Sequence, residues 1–312
     1  MAAAGLRIAL AMAAFLLLAP FPAGADDPIL TQEQRQAELD KLNWISAAGH
    51  YQLTQSHSHI DLPDGYYLLL GADAARYDTL SNGVDASGTE AVVFNNADHT
   101  AVYFVFYDKG FVKDDDWSEV NADEFLKQMQ EQELKRNSDR VRQGVDYLLI
   151  DGWKETPRYD GATHTAYWAT SLSNAMNRWI NASAVRLARN GYHYVIWVGD
   201  ESSFTGSSNS LATVMGLHDY DDGYRYADHV DGDKLAGFGI GALAASIMGV
   251  KFGQGFLWAL LGGVLVFGKK ILAVVAVILG GFAAWKVRAR RKAAALLPPA
   301  APPPPNPPAA TR

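Results

Sequence analysis

The sequence contains no cysteine, which removes disulfides, thiolate catalysis, sulfur-ligated metal and a lipid-modified N-terminal cysteine together. A domain made from this chain is held by its core alone. Carboxylates are missing from both ends: all 34 lie between Asp26 and Lys234, a stretch with only 17 of the 27 Lys and Arg. That excess of negative charge excludes nucleic acid as a partner of the middle region, because phosphate contacts need a basic surface. Phosphate-binding glycine loops, zinc-helix motifs, nucleophile elbows and redox pairs are also absent. No uninterrupted apolar run reaches the roughly 20 residues of a comfortable membrane span.

What is present at the N-terminus is Arg7, an apolar run from Ile8 to Leu18, and Ala23-Gly24-Ala25 ahead of Asp26-Asp27. A positive start, a short apolar stretch and a small-x-small site predict a secretory signal peptide over residues 1–25. An uncleaved anchor is the rival, and the run is too short for it.

Beyond Lys234 three apolar stretches follow, Leu235 to Val250, Phe256 to Gly268 and Ile271 to Trp285, broken by Lys251 and Lys269-Lys270. The last makes about 22 Å of helix and crosses a bilayer if Lys269, Lys270 and Lys286 snorkel. Fusing the second and third into one lipid-facing helix would bury two lysines near the bilayer centre, at about 5–7 kcal/mol. The basic cluster from Lys286 to Lys292 is expected in the cytoplasm, so an exported acidic domain implies one or three crossings. A two-crossing hairpin turning at Lys269-Lys270 is the alternative. Small residues recur every fourth position at Gly237, Gly241, Ala245, Gly249 and Gly253 and again at Gly255, Ala259 and Gly263, a stripe suited to close helix packing, within the chain or between copies. Residues 235–292 are therefore expected as a membrane-anchor region and 293–312 as an extended proline-rich tail.

Residues 26–234 are expected to be one exported domain. The pattern predicts a short helix from Thr31, strands at Tyr51–Leu53, His59–Leu62 and Tyr66–Leu70, helical turns over Asp73–Leu80, and a hairpin of Glu90–Phe94 with Ala101–Tyr107. A long helix begins near Asn121, with Phe125, Met129, Leu134 and Val141 as its apolar positions. Strands at Tyr147–Lys154, His164–Ser171, Ala184–Ala188 and Tyr192–Val198 follow, and a helix over Ser207–Leu217 closes the domain. Irregular alternation of strands and helices predicts an α+β fold with a mainly antiparallel sheet, followed by C-terminal transmembrane helix segments.

Three blocks then stand out: GFVKDDDW (Gly110 to Trp117), GWKETPRYDGATHTAYWA (Gly152 to Ala169) and RYADHVDGDKLAGFGIGALAA (Arg225 to Ala245). With LPDGYYLL (Leu62 to Leu69) and Arg189-Asn190-Gly191-Tyr192, they resemble the bacterial domain-of-unknown-function family 2167 over about Leu62 to Ala245. The chain departs from that pattern at Thr156-Pro157, where the family usually has two prolines, and in its proline-rich tail. The resemblance implies an exported domain with a C-terminal membrane segment and carries over no catalytic residue.

Candidate chemistry comes from the residues themselves. Arg158, Asp160 and His164 fall in one turn region, able to bind an anion or shuttle a proton, or else simply to fix a hairpin. Asp114, Asp115 and Asp116 offer oxygen ligands to a hard cation or are solvated turn residues. Asp219, Asp221 and Asp222 read the same way. His57 and His59 would share one face of a strand, but no third metal ligand is identifiable. No cofactor is implied. The composition favours a membrane-anchored envelope module whose partners are the lipid bilayer and a protein or second copy, located at the cytoplasmic membrane with its domain in the periplasm. An exported hydrolase or metal-dependent enzyme and a small channel or transporter component are the alternatives.

Overall fold

In the computed structural model the described residues are 32–82, 86–95, 97, 100–142, 147–199, 201–204 and 211–252. The expected signal peptide, the second and third apolar stretches and the proline-rich tail lie outside them. In chain order the first half holds α1 (Gln32–Leu39), β1 (Gly49–Leu53), β2 (Ser58–Leu62), β3 (Tyr66–Leu70), α2 (Gly71–Asn82), β4 (Thr89–Asn95), β5 (Thr100–Tyr107) and β6 (Phe111–Lys113). The second half holds α3 (Ala122–Arg142), β7 (Leu149–Asp160), β8 (Thr165–Ser173), β9 (Arg178–Leu187), β10 (Tyr192–Val198), α4 (Ala212–Met215), β11 (His218–Tyr220), β12 (Leu235–Gly239) and α5 (Ile240–Met248).

Seven strands form one antiparallel sheet in the order β3-β4-β5-β10-β9-β8-β7. Its centre is built from the aromatic and β-branched runs TAVYFVFY and YHYVIWV, residue types that pack well on a pleated surface. Alternation splits their side chains between two faces. One face, with Leu68, Val93, Val102, Phe104, Val195 and Trp197, packs against the small β1-β2-β11 sheet and α4. The other face is covered by helices: α1 and α2 lie over Leu69, Val92 and Tyr103, and α3 and α5 lie over Ala166, Trp168, Val185 and Tyr192. The expected α+β class with a mainly antiparallel sheet is what the chain adopts.

α3 starts where the sequence indicates. The Asn121 side chain accepts the Glu124 amide at 3.0 Å, Asp123 and Glu124 sit in the first turn and Arg140 and Arg142 in the last, each placed to favour the helix dipole. Phe125 and Met129 are buried as expected, whereas Leu134 and Val141 are 60% and 64% exposed. That part of α3 instead buries Glu133, which takes Arg140 at 3.0 Å and Arg136 at 3.5 Å. β9 is longer than expected because its first half, Arg178 to Ser183, carries polar and small residues that disguise a central strand.

The largest correction concerns Leu235 to Val250, expected as the first part of a membrane anchor. These residues form β12, paired in parallel with β6, and then α5, whose Ile240, Leu243, Ala244, Ala245 and Met248 are buried with Val250 in the core over the sheet. Fully burying a Leu, Ile, Val or Met side chain is worth about 1.5–3 kcal/mol, so this segment stays with the domain, and the folded unit runs past the expected boundary at Lys234. The small residues do not make one stripe: Gly237 is in β12, Gly241 and Ala245 are in α5, and Gly249 caps that helix in the left-handed region at φ 72°. Among the described residues no helix is long and apolar enough to cross a membrane.

Candidate functional site

The three sequence blocks meet at the end of β6. Asp116, just past that strand, turns its carboxylate onto the start of α5, accepting the amides of Gly241 at 2.8 Å and Ala242 at 3.1 Å. It supplies the cap that Gly239, at the N-cap position, has no side chain to provide. The contact explains Gly239, since a Cβ there would stand 2.5 Å from the Asp116 carboxylate, and close packing explains Gly241, where a Cβ would stand 2.7 Å from the Phe252 ring and 2.9 Å from the Asp116 carbonyl oxygen.

Asp114 points elsewhere. Its Oδ2 accepts the Tyr159 hydroxyl at 2.6 Å, and the side chain also takes a hydrogen bond from Tyr226. His164 Nδ1 lies 3.2 Å from the Tyr159 oxygen and 3.5 Å from Asp114, and its ring rests on Tyr226 with centroids 4.2 Å apart. Partial burial works to raise the Asp114 pKa, yet the tyrosine hydrogen bonds outweigh it and hold the carboxyl below its usual range. Burial and the facing Asp114 charge push both phenols far above theirs. The tyrosines are therefore fixed as donors to a carboxylate, which is a cross-link and the opposite of an activated nucleophile. His164 holds φ 47°, a conformation uncommon for a residue with a Cβ, and its carbonyl accepts the Leu187 amide at 3.0 Å.

The expected site residues are thus divided. His164 and Asp114 come together, whereas Arg158 lies across the sheet strand with its guanidinium 4.3 Å above the Tyr167 ring. Asp160 closes its own turn, accepting the Ala162 amide at 2.9 Å and the Thr163 hydroxyl at 3.0 Å, bonds that lower its pKa, the Ala162 amide foremost. A hard-cation site on Asp114 to Asp116 is not formed, because Asp114 and Asp116 spend their carboxylates on different partners. His57 and His59 do not share a strand face: His57 sits in the turn before β2 at φ 53° and stacks on Tyr224 at 4.0 Å. Asp219 reaches Arg186 at 3.2 Å, Asp221 reaches His59 at 2.9 Å and Asp222 reaches Arg225 at 2.6 Å.

A buried polar network, unanticipated from the sequence, crosses the first core. Glu90 accepts the Gln55 and Ser56 amides at 2.7 and 3.1 Å and meets His193 Nε2 at 3.2 Å. His193 Nδ1 meets the Tyr220 hydroxyl at 2.8 Å. His218 Nε2 meets Ser58 Oγ at 2.9 Å, Ser58 pairs with Ser56 at 2.6 Å, and Arg186 donates to the backbone carbonyls of Met215, at 3.0 Å, and His218. The Ser58–His218 pair resembles a nucleophile and base, but both are sealed in the core, at 0% and 2% exposure, so no substrate reaches them. The signal in the sequence was a charged or polar residue inside an apolar strand, Glu90 in TEAVVFN and His193 in YHYVIWV, each of which needs a buried partner. A separate recess of 190 Å³ at the other end of the sheet is lined by Asp151, Trp153, Ser171, Arg178, Trp179 and Glu201.

The sequence matches the family described as "Protein of unknown function (DUF2167)" over residues 45–280. No protein of curated function matches it. Among solved structures, the solution structure of cyanobacterial PsbP (CyanoP) from Synechocystis sp. PCC 6803 is similar at 11% identity and a TM-score of 0.30, covering 57% of this chain and 94% of that one.

Proposed function

We propose, for a chain that belongs to the DUF2167 family of proteins of unknown function, the role of a membrane-anchored binding or assembly module of the cell envelope, its acidic domain held outside the cytoplasmic membrane. The observation that carries this reading is how the chain leaves the domain. Gln132 of α3 donates to the Gly249 carbonyl at 2.6 Å, Gln128 accepts the Lys251 amide at 2.8 Å, and Phe252 packs edge-on to Phe125 at 6.0 Å. The backbone is therefore clamped to the domain only a few residues before the apolar run that starts at Phe256. A module that needs only to be kept near a membrane tolerates a loose linker. A clamped exit suits one whose orientation matters to a protein partner or a second copy.

The hydrolase reading is weaker on the same geometry, since Arg158, Asp160 and His164 do not converge and the tyrosines beside Asp114 are held protonated. The channel reading loses the small residues from Gly237 to Gly249, which serve the domain's own fold. Because the chain lacks cysteine, single-cysteine labelling tests the proposal cleanly. A cysteine replacing exposed Asp64 should react with a membrane-impermeant maleimide in intact spheroplasts, and one replacing Ala295 should react only after lysis. Recovery of the protein in the soluble fraction, or protection of position 64 until lysis, would overturn the reading.

A further inference from the structure

We infer that the β1–β2 hairpin carries a binding site for a divalent transition-metal ion, with His50, His59 and Asp61 as its ligands and Asp221 as the group that orients His59. The register pairs His50 with Asp61 and Gln52 with His59. Opposed residues of an antiparallel pair share a face, as do residues two apart, so all four side chains stand together on one side of the hairpin. One ring nitrogen from each histidine and one Asp61 oxygen lie within 4.8 Å of one another. The His50 and His59 ring centroids are 4.3 Å apart, and His50 Nδ1 is 2.8 Å from Asp61 Oδ1. Ligand atoms at zinc distances in a tetrahedral shell stand roughly 3.4 Å apart, so metal binding draws these side chains together from their present spacing.

The second observation is the support behind His59. Its Nδ1 meets Asp221 Oδ1 at 2.9 Å. Asp221 is fixed in turn by a hydrogen bond from Gln52 and by its own amide on the His57 carbonyl, the latter at 2.9 Å. A carboxylate on Nδ1 fixes the tautomer with its lone pair on Nε2, which is how metal-ligating imidazoles are commonly held. β2 is the middle strand of its sheet, bonded to β1 on one side and β11 on the other, which gives the ligands a stiff platform. The His59 side chain is 17% exposed while His50 and Asp61 are 59% and 67% exposed, so the site opens to solvent and leaves a coordination position for water or an outside ligand. Two imidazoles with one carboxylate select a borderline ion such as Zn²⁺ over Ca²⁺ or Mg²⁺, which prefer all-oxygen shells.

The test is isothermal titration of the full-length chain, solubilised in mild detergent and stripped with a chelator, with Zn²⁺ and separately with Mg²⁺. One equivalent of Zn²⁺ should bind and Mg²⁺ should not. His50→Ala and His59→Ala should each weaken binding by tenfold or more, and Asp221→Asn by roughly 10–100-fold. His229→Ala, which alters a histidine stacked on Phe111 and outside the hairpin, should bind as the parent does. Melting of each variant without metal identifies those that are folded. The inference fails if the parent chain takes up no Zn²⁺, or if a folded His50→Ala/His59→Ala variant binds Zn²⁺ as the parent does.

Discussion

Acidification should destabilise the domain from about pH 6.5 downward, and His218 should account for a defined part of the slope. His218 is buried beneath the small sheet with Ser58 Oγ 2.9 Å from Nε2 and an Arg186 guanidinium nitrogen 3.4 Å from Nδ1. Arginine only donates hydrogen bonds, so Nδ1 must carry a lone pair and the ring is neutral. Burial, with the nearby charges of His193, Arg186 and His59, sets its pKa well below the usual 6.5. The unfolded chain therefore takes up a proton near pH 6.5 that the folded chain refuses. Stability from this group is complete above that pH and is lost as pH falls, at about 1–1.5 kcal/mol per pH unit. His193, also lowered by burial although Glu90 opposes the shift, acts in the same direction. His218→Gln keeps an acceptor toward Arg186 and a donor toward Ser58 and does not titrate. Urea unfolding at pH 7, 6 and 5, followed by fluorescence of buried Trp197 among the other tryptophans, should show a slope shallower by about that amount in the variant. An unchanged slope would refute the assignment of a neutral, proton-refusing His218.

Three further outcomes follow from the junction of the sequence blocks. Asp116→Ala removes both acceptors at the start of α5 and should cost about 1–2 kcal/mol, read as a lowered urea midpoint. Gly241→Ala forces a Cβ to within 2.7 Å of Phe252 and 2.9 Å of the Asp116 carbonyl and should cost about 1–3 kcal/mol, whereas Gly237→Ala, with nothing within 4 Å, should stay within about 0.5 kcal/mol of the parent. Tyr159→Phe takes one donor from Asp114 and should cost about 1 kcal/mol at neutral pH, a loss that shrinks as acid protonates the parent's Asp114, whose carboxyl the tyrosines hold below its usual range.

Much of the scaffold is legible locally. The aromatic alternation in β5 and β10 and the Asn121 start of α3 each carry their own signal within a few residues. What escapes sequence reading depends on partners far along the chain. Leu235 to Val250 has the hydropathy of an anchor and the small-residue spacing of a membrane helix, and only the Asp116 carboxylate, 125 residues from Gly241, reveals that it begins a strand and a buried helix. The spacing of His57 and His59 suggests one shared strand face, but the neighbour of His59 on the hairpin is His50, because the tight turn before β2 throws His57 into the left-handed region at φ 53°. Bringing His50 diagonally beside His59 requires the hairpin register, which turn geometry sets and side-chain spacing along one strand does not. Arg158 and Asp160 drew notice for their proximity in the chain, yet Arg158 lies over the ring of Tyr167, its partner on β8, while Asp160 at the end of β7 closes its own turn.

The clamped exit at Gly249 to Phe252 is tested most directly by native-state hydrogen exchange on the full-length chain in a bilayer mimic. The Gly249 and Val250 amides, bonded to the Ser246 and Ala245 carbonyls, and the Lys251 amide on Gln128 should exchange as slowly as those of β10, through opening of the domain as a whole. Exchange at these three amides as fast as in an unstructured linker, while β10 stays protected, would contradict it.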